Sequence, residues 1–433
     1  MNYFLKTLNN LKNLRGTVDL LPEQLIKWQN VEKILLEQLS RGCIKEIRTP
    51  ILEMTELFIR GIGEGTDVVS KEMYTFLDRG ERSCTLRPEG TASVARALIQ
   101  NGMSANSPKK LWYMGPMFRY ERPQAGRQRQ FHQLGVEFIG YESVRSDVEI
   151  IAFAWDILGK LGIKELNLEI NSLGDLSDRL NFQKSFLNWL EINKDSLDLD
   201  SQNRINKNPL RILDSKNIQT KKVLERAPKL FNFLSEKSIE RYSELKSQLK
   251  SMKIPFIENF NLVRGLDYYT HTAFEITSGA LGSQATVCGG GRYDNLIKQM
   301  GGNDIPAIGF AIGLERLILL AGKELDVGRR TDIYIVNQGL LAEPFAIDLS
   351  RKLRNYDLLV ELDLSGASFS KQLKKANKLN SKCVVLVGDQ EATNKEFIIR
   401  LFDKKNSGNN EEVIPFDSDT KLERWINNNL LIN

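Results

Sequence analysis

The sequence predicts an α+β fold, with a core built on an antiparallel sheet with flanking helices and a helical insertion, followed by a small α/β domain. Three observations lead to this prediction. Strand-like segments follow one another early in the chain with few helices between them, which favours an antiparallel sheet. A lysine- and leucine-rich helical stretch at about residues 172–255 interrupts that core, and beyond residue 329 short strands alternate with helices. With 433 residues, the chain is long enough for two or three domains.

The first domain is predicted to span residues 1–328. It begins with an amphipathic helix from about Pro22 to Leu39, in which Trp28, Val31 and Leu35 recur at helical spacing. Further along, the pattern predicts strands at 44–52, 72–77, 111–118 and 136–139 and a helix at 91–100. After the insertion, which contains KVLERAPKLFNFLSEKSIERYSELKSQLK, strand and glycine-rich sequence resumes over 260–320.

The second domain is predicted to span residues 329–433. The runs IYIVNQ, LLVELDL, KCVVLVG and FIIRLF have the length and composition of short buried strands. They alternate with helical stretches at 343–354 and 368–379. This alternation predicts a small α/β domain with a mostly parallel sheet.

Composition excludes several classes of protein. Lysine and arginine exceed aspartate and glutamate by only 60 to 55, which permits a nucleic-acid partner without pointing to one. The four cysteines are scattered and there are only two histidines, so a structural zinc site or a disulfide framework is not expected. No apolar run is long enough to span a membrane and the N-terminus lacks the apolar core of a signal peptide, so we expect a cytoplasmic protein.

Two segments carry residues suited to phosphate chemistry. The first, FRYERPQAGRQR at 118–129, places four arginines in a loop bent by Pro123 and Gly126. Guanidinium groups bind phosphate oxygens in a planar, bidentate way, although this loop alone would more often be a solvated hairpin tip. The second, PAIGFAIGLERL at 306–317, runs from a small-residue strand into a helix beginning with Glu315 and Arg316. A ligand could lie flat against such a strand and meet Arg316 at its phosphate end.

Together with IRTPILE at 47–53, these blocks resemble, in order, the three signature motifs of class II aminoacyl-tRNA synthetases. Two further blocks, LVRGLDYYT at 262–270 and CGGGRYD at 288–294, resemble the histidine-specific motifs of histidyl-tRNA synthetases. The segments RGTVDLLP, LRPEGT and QFHQLGVE also match this family, so the resemblance covers essentially the full length.

The resemblance implies a set of functional residues. It implies a histidine site formed by Glu89, Gly90, Thr91, Gln133, Glu137, Arg264, Tyr268 and Tyr269. It implies an ATP site formed by Arg119, Glu121, Arg127 and Arg316, with Arg264 and Arg119 as the catalytic residues. It further suggests Arg122 and Gln124 for the acceptor end of tRNA, and it names no metal ligand.

Chemistry supports these implied roles. An imidazole offers one N–H donor and one acceptor nitrogen, so the Glu137 carboxylate and the Tyr269 hydroxyl can satisfy both. A site of this kind rejects analogues that cannot form the hydrogen bonds by ~10⁴-fold or more. Arg264 is the main catalytic candidate, because an arginine at the α-phosphate keeps its charge at any relevant pH. Its alternative role is that of a salt-bridged structural arginine.

Two other conspicuous residues favour structural interpretations. His132 lies beside Phe131 in a predicted strand, where packing or hydrogen bonding is more common than general-base catalysis. Cys288 precedes three glycines and has no evident basic neighbour, so it is expected to be a small buried residue.

The second domain resembles the anticodon-binding domain of several class II synthetases, through GASFSKQLKKANKL. Its lysines 371, 374, 375, 378 and 382 are predicted to share one helical face, which suits either phosphate binding or simple solvation. Residues 331–433 hold 14 basic and 15 acidic side chains, so any RNA contact depends on local arrangement.

The family resemblance implies ATP-dependent attachment of histidine to tRNA(His), with Mg²⁺ accompanying ATP and a homodimer as the assembly. Two alternatives remain at this stage. One is a non-catalytic, synthetase-like regulatory subunit of histidine biosynthesis, although such paralogues typically lose the RGLDYY block and the C-terminal domain, which this chain retains. The other is a tRNA-sensing module of the kind found in stress kinases, but the chain contains no kinase segment.

Overall fold

The computed structural model describes residues 11–103, 107–124, 126–206, 209–215, 217–262, 266–280, 286–328, 330–402 and 411–430. The chain forms two compact units, Met1–Asp326 and Val327–Asn433. No helix in the described ranges is long and apolar enough to cross a membrane.

The first unit is built on two sheets. Its strands are β1 (Lys45–Glu46), β2 (Leu52–Met54), β3 (Tyr74–Leu77), β4 (Ser83–Leu86), β5 (Lys109–Phe118), β6 (Gln130–Ile139), β7 (Leu166–Ser172), β8 (Ile257–Glu258), β9 (Thr270–Ser278), β10 (Thr286–Arg292) and β11 (Ala307–Gly313). Eight of them form one sheet in the order β1-β5-β6-β11-β10-β9-β7-β8, and β2-β4-β3 form a small antiparallel sheet. The central strands of the large sheet are antiparallel, as predicted, while the outermost pairs β1–β5 and β7–β8 are parallel.

Helices cover and connect these strands. They are α1 (Pro22–Arg41), α2 (Thr55–Ile62), α3 (Thr91–Gln100), α4 (Val144–Lys160), α5 (Leu176–Ile192), α6 (Leu199–Arg204), α7 (Ile218–Leu224), α8 (Glu236–Ser251), α9 (Leu296–Gln299) and α10 (Leu314–Leu320). The chain between β7 and β8 forms α5 to α8 with short 3₁₀ turns. Val68–Glu72 forms a π-helical turn before β3.

The predicted N-terminal helix is confirmed, and its periodicity explains why it folds. Trp28, Val31 and Leu35 are 5% exposed or less and join one core cluster with β6, α4 and α8, so burial of this stripe stabilises the helix against the sheet. The predicted helix at 91–100 is α3. The strand predicted over 44–52 was wrong as a single element, because Pro50 lacks an N–H for a ladder; β1 and β2 flank it in different sheets.

The second unit contains β12 (Ile333–Gln338), β13 (Val360–Leu362), β14 (Cys383–Gly388), β15 (Glu396–Leu401) and β16 (Glu411–Pro415). Its helices are α11 (Ala342–Arg354), α12 (Phe369–Lys378), α13 (Asp389–Asn394) and α14 (Asp419–Asn429). The strand order is β13-β12-β14-β15-β16.

The prediction of a mostly parallel sheet in this unit was wrong. The pairs β12–β13 and β12–β14 are parallel, but β14–β15 and β15–β16 are antiparallel, so the sheet is mixed. The connections explain the difference. A parallel crossover needs about a dozen residues or more, and the link between Gly388 and Glu396 is shorter than that.

Candidate active site

A cavity of about 720 Å³ opens over the large sheet of the first unit. Ten of the predicted site residues line it: Glu89, Thr91, Arg119, Glu121, Arg127, Gln133, Glu137, Tyr268, Tyr269 and Arg316. They come from four places in the sequence that the fold brings together. Gln133 and Glu137 are four residues apart on β6 and therefore face the same side of the sheet.

Glu137 lies at the buried end of this cavity. Glu137 is only 1% exposed. Both of its carboxyl oxygens accept hydrogen bonds. Thr91 Oγ1 donates to Oε1 at 2.8 Å, and Tyr293 Oη donates to Oε2 at 2.5 Å. Burial, with a further contribution from the charge of Glu89, raises the pKa of Glu137 to about 8, although the hydrogen bonds oppose this shift.

Glu89 is the second buried carboxylate at this end. It accepts the backbone N–H groups of Thr91 at 2.6 Å and Ala92 at 2.8 Å, and so satisfies the first turn of α3. Burial raises the pKa of Glu89, and these hydrogen bonds together with Arg119 oppose the rise. Two carboxyl groups held close together in a buried pocket favour a cationic ligand group between them.

Tyrosine rings form the walls beside the carboxylates. Tyr268 and Tyr269 precede β9 and are 4% and 7% exposed, with their ring centroids 4.7 Å apart. The ring of Tyr268 also meets that of Tyr293 edge-on at 5.6 Å. The pocket is therefore suited to a flat ring with polar edges.

Sequence reasoning missed Tyr113, which lies on β5 under this pocket. A Cβ at Gly90 or at Gly135 would lie 2.2 Å or 2.1 Å from its ring, so both positions need glycine for the ring to fit. Its phenol is 3% exposed, and burial raises its pKa well above the usual value. The sequence around Tyr113 did not indicate that its ring lies under the pocket. The glycines that leave space for this ring lie in other elements.

One buried polar atom of the pocket, Gln133 Oε1, has no hydrogen-bond partner within the described part of the chain. An unmet buried acceptor costs free energy, and a donor from a bound ligand would remove that cost for Gln133, which lines the cavity.

The opposite end of the cavity is basic. Arg119 donates its Nε proton to the carbonyl of Pro88 at 2.8 Å and lies over the ring of Phe131. Arg127 pairs with Glu121 at 3.2 Å, and Glu121 also lies 3.9 Å from Arg119. This end can therefore hold an anion while the carboxylate orients its arginines.

Arg316 at the start of α10 completes the basic end. Its guanidinium donates to the carbonyl of Thr286 at 2.7 Å, and Gly126 with φ +71° lets the arginine loop approach it. Burial, then the neighbouring Arg127, lowers the pKa of Arg316. The negative charge of Glu275 opposes this lowering of the Arg316 pKa. The Glu275 side chain also lines the cavity, which the sequence did not predict.

The insertion also contributes to the cavity wall, which the sequence did not predict. Asp198, Asp200, Ser201 and Arg204 from the region of α6 line it. Arg204 lies 3.1 Å from Asp200 and 3.7 Å from Asp67, which precedes the π-helical turn. The insertion is thereby connected across the cavity to the segment before β3.

The remaining predicted residues fall outside the cavity or outside the described ranges. Arg122 and Gln124 are exposed on the arginine loop, where Gln124 and Arg127 exchange backbone hydrogen bonds. Arg264 lies outside the described residues.

His132 and Cys288 have the structural roles predicted for them. The His132 ring meets Trp28 edge-on at 5.3 Å, and its Nδ1 lies 3.0 Å from Glu315 Oε1. Cys288 is 0% exposed on β10. The contacts of His132 and the burial of Cys288 are those that the two interpretations predict.

The lysine face of the second unit needs one correction. Lys371, Lys374, Lys375 and Lys378 lie exposed on α12, but Lys382 lies beyond its end. Asn380 follows α12 and takes a left-handed backbone conformation with φ +54°, so the chain does not continue the helix. Lys382 instead pairs with Asp332 at 2.8 Å.

Comparison with known families agrees with this geometry. A model of histidyl-tRNA synthetases matches residues 16–317, and a model of anticodon-binding domains matches residues 332–417. The chain belongs to the histidyl-tRNA synthetase family.

Close relatives of this synthetase family member carry the corresponding name. Proteins called histidine–tRNA ligase from Prochlorococcus marinus strains MIT 9312 and AS9601 are each 84% identical over 98% of this chain and 100% of their own length. The apo histidyl-tRNA synthetase of S. aureus is 37% identical, with a TM-score of 0.78, covering 95% of this chain and 99% of its own. The histidyl-tRNA synthetase of Nostoc sp. PCC 7120 shares the fold at 20% identity, with a TM-score of 0.64, covering 96% of this chain and 100% of its own.

Proposed function

We propose that this chain activates L-histidine with ATP and transfers it to tRNA(His), passing through histidyl-adenylate. The observation that carries the proposal is the cavity itself, which has buried carboxylates and tyrosines at one end and arginines at the other. Relatives 84% identical over essentially their full length are named for this activity.

Histidine would occupy the acidic, aromatic end. Its α-ammonium group would lie among Glu89, Thr91 and Gln133, where the buried carboxylate and the unpartnered amide oxygen are both acceptors. Its imidazole would lie between Glu137 and Tyr269, beside Tyr268. A carboxyl oxygen that accepts the ring N–H and a phenol that donates to the other nitrogen distinguish imidazole from an apolar ring of similar size.

ATP would occupy the basic end. Arg127 and Arg316 would hold its outer phosphates and Glu121 would contact the adenine, while Arg119 and Arg264 would orient the histidine carboxylate and the α-phosphate. A carboxylate oxygen of histidine then attacks the α-phosphorus in line, the bond to the β-phosphate oxygen breaks, and pyrophosphate leaves. Fixed arginine charge stabilises the negative charge that spreads over the phosphoryl oxygens.

Mg²⁺ would enter as part of the ATP substrate. Within the described residues, no group of three or more His, Cys, Asp or Glu side chains is arranged to hold a metal ion. Phosphate-bound Mg²⁺ needs only one or two protein carboxylates, and Glu275 lines the cavity near Arg316. The ion would neutralise phosphate charge.

In the second step, the terminal ribose hydroxyl of tRNA attacks the adenylate carbonyl carbon and AMP leaves. We assign no side chain of this chain as the base for that proton, and a phosphate oxygen of the adenylate is one acceptor. Arg122 and Gln124, exposed on the arginine loop, are candidates for contacting the acceptor end of the tRNA. The anticodon-binding domain supports recognition of the other end.

A homodimer is also part of the proposal. Apolar side chains on β2 and β3 are unusually exposed: Leu52 43%, Met54 50%, Phe76 46% and Leu77 67%. Leu52 belongs to the first signature segment at 47–53. By register, Leu52, Met54 and Phe76 share one face of the small sheet and Leu77 faces the other side. An exposed apolar face of this kind is typical of an interface. A second copy of the chain would bury it.

The comparisons support the ligase and not the regulatory alternative. A solved structure described as an ATP phosphoribosyltransferase regulatory subunit/histidyl-tRNA synthetase from Bacillus halodurans shares the fold at 21% identity, with a TM-score of 0.64, covering 87% of this chain and 98% of its own. That likeness shows the fold alone, whereas the relatives at 84% identity are named as ligases.

The test is ATP–pyrophosphate exchange by the purified protein with each amino acid in turn, followed by charging of tRNA(His). Exchange with histidine alone, followed by charging, is the expected result. A folded protein with no exchange would instead favour the regulatory alternative, and exchange with another amino acid would overturn the assignment of histidine.

A further inference from the structure

The segment 266–269 lies between two cavities of the first unit. Tyr268 and Tyr269 line the candidate active site, while Leu266, Asp267 and Tyr269 line a second cavity of about 810 Å³. The walls of this second cavity come from β7, from β8 and the residues after it, and from the insertion. Side chains of the insertion can therefore reach the segment from the side of the second cavity.

Arg179, in the first turn of α5, makes such a contact. Its Nη1 donates to the carbonyl of Tyr269 at 2.6 Å and to the carbonyl of Asp267 at 3.2 Å. Both carbonyls lie just before β9. One guanidinium group from the insertion thus holds two alternate carbonyls of the segment that carries the tyrosines.

The charge of Arg179 makes these hydrogen bonds strong. Burial lowers the pKa of Arg179, and the negative charge of Asp267 opposes this lowering. An arginine nevertheless keeps its proton at any relevant pH, so its N–H groups remain donors. A charged donor in a half-buried position bonds a carbonyl more strongly than a neutral donor does.

The start of α5 is itself firmly anchored. Asp178, which is 3% exposed, accepts a hydrogen bond from the Ser238 hydroxyl at 2.6 Å and one from the Ser235 backbone N–H at 2.9 Å. Ser235 caps α8 and Ser238 lies in its first turn, so the beginnings of two insertion helices are joined. Arg179 therefore extends towards the segment from a fixed base.

The segment has further backbone anchors on either side. The Asp267 N–H donates to the carbonyl of Ile62, at the end of α2, at 3.1 Å. The His271 N–H donates to Gly174 at 2.7 Å, and its carbonyl accepts from Leu173 at 2.6 Å, just before α5. His271 has φ +44°, a left-handed conformation that residues other than glycine seldom adopt. The path of the chain into β9 therefore depends on contacts with the start of the insertion.

We propose that the insertion takes part in amino-acid activation through Arg179, a positioning residue that holds the main chain of Tyr269 and so fixes the place of its ring. The proposal rests on the proposed function. Arg179 lines the second cavity and not the active site, so it acts through the carbonyls of Asp267 and Tyr269. Without this donor the segment could move, and the packed rings of Tyr268 and Tyr269 would move with it.

The first test is Arg179→Met, which keeps an unbranched stem and removes the donors. In pyrophosphate exchange without tRNA, KM for histidine should rise about 10- to 100-fold, the range for a hydrogen bond to a charged group. The kcat and KM for ATP should change by less than about threefold, because the arginines at the basic end are untouched. Unchanged KM for histidine in a folded variant would overturn the proposal.

Arg179→Lys distinguishes the donor from the bulk of the side chain. Lysine keeps the positive charge and N–H donors on a shorter side chain. Its KM for histidine should therefore lie between those of the wild type and of Arg179→Met. A lysine variant no better than the methionine variant would show that the donor has no role, and it too would overturn the proposal.

Arg330→Met is a matched control. The Arg330 guanidinium also donates to two backbone carbonyls, those of Asn380 and Ser381, but it does so in the second unit. Its loss should leave both KM values in the exchange assay unchanged. If Arg179→Met instead lowered the unfolding temperature and raised both KM values together, its role would be purely structural and the proposal would be wrong.

If Arg179→Met does not fold, Arg179→Lys is measured alone. A KM for histidine raised at least about threefold with unchanged KM for ATP is then expected, and an unchanged KM for histidine would overturn the proposal. Absence of histidine-dependent exchange in the wild-type protein would overturn the proposed function. An active wild type with an unaffected Arg179 variant would overturn this inference alone.

Discussion

Glu137 shows how surroundings determine the chemistry of a residue. It is a carboxyl group with ordinary chemistry in the unfolded chain, and burial raises its pKa to about 8 in the folded protein. Between these two pKa values the folded state binds a proton that the unfolded state has released. The stability that this proton provides is therefore complete below about pH 4.5 and is lost as pH rises towards 8.

We predict that Glu137→Gln flattens part of the pH dependence of stability. Between pH 5 and 8 the free energy of unfolding of the wild type should fall by up to about 1.4 kcal/mol per pH unit from this group. The variant lacks the titrating carboxyl, so its stability relative to the wild type should increase with pH. Urea unfolding midpoints from pH 5 to 8.5 measure this, and parallel curves for the two proteins would contradict the assignment.

Arg264 lies outside the described residues, so its role stays a prediction from sequence. Arg264→Ala should reduce adenylate formation to background while leaving the thermal unfolding temperature within a few degrees of the wild type. The physical reason is loss of a permanent positive charge at the α-phosphate. Single-turnover adenylate formation checks it, and unchanged exchange would remove Arg264 as the main catalytic residue.

At the scale of elements, the site depends on how closely strands and helices approach each other. The Tyr113 ring on β5 lies where side chains at Gly90 before α3 and Gly135 on β6 would otherwise be. Gly309 on β11 gives the Glu137 carboxyl its space in the same way. These three positions therefore need glycine because side chains of neighbouring elements occupy the space of a Cβ, and not because of the backbone conformation of their own elements.

We predict that Gly135→Ala displaces Tyr113 and weakens histidine binding. The added Cβ would lie 2.1 Å from the ring, so the variant should lose about 1–3 kcal/mol of stability and show a raised KM for histidine. Gly159→Ala in α4 is the matched control, because nothing lies within 4 Å of its Cβ and alanine favours helix. Calorimetry and exchange kinetics should separate the two, and equal effects would show that the ring is not constrained.

At the scale of the whole molecule, the two units carry different parts of the proposed activity. The first unit contains the cavity, and the second contains the lysines of α12. Lys375 already lies 3.7 Å from the buried Asp363, which leaves Lys371, Lys374 and Lys378 as the candidate phosphate contacts.

We predict that changing Lys371, Lys374 and Lys378 together to Glu raises KM for tRNA at least tenfold. Pyrophosphate exchange should not change, because it needs no tRNA, and the salt dependence of charging should become shallower. A control with the same charge change uses three exposed lysines of the first unit, Lys33, Lys160 and Lys250. Equal loss in both triple variants would point to net charge rather than to a specific surface.

The proposed homodimer makes a second prediction at this scale. Phe76→Glu places a charge in the exposed apolar surface of β3 and should shift the protein from dimer to monomer in sedimentation velocity. Leu340→Glu, at a position 89% exposed in the second unit, should leave the assembly unchanged. A wild-type protein that sediments as a monomer would contradict the dimer.

The sequence by itself predicted α1, α3, α11, α12 and several strands, whereas it gave no prediction for α2, α4 or α14. Local pattern predicted α1 and α3, and the length and composition of an apolar run predicted β12, because burial of an apolar stripe or run depends mainly on neighbouring residues. The signature blocks indicated the family, which the family model then confirmed.

Only the tertiary structure decided which residues meet. Thr91 and Tyr293 reach Glu137 from 46 and 156 residues away, and Arg204 brings the insertion to the same cavity. The sequence also did not predict that the strand after Gly388 pairs antiparallel with β14. Nor did it predict that Lys382 lies beyond the end of α12. The physical reason is that local pattern fixes which face of an element is apolar, whereas strand order and the space left by glycines in other elements fix which polar groups converge.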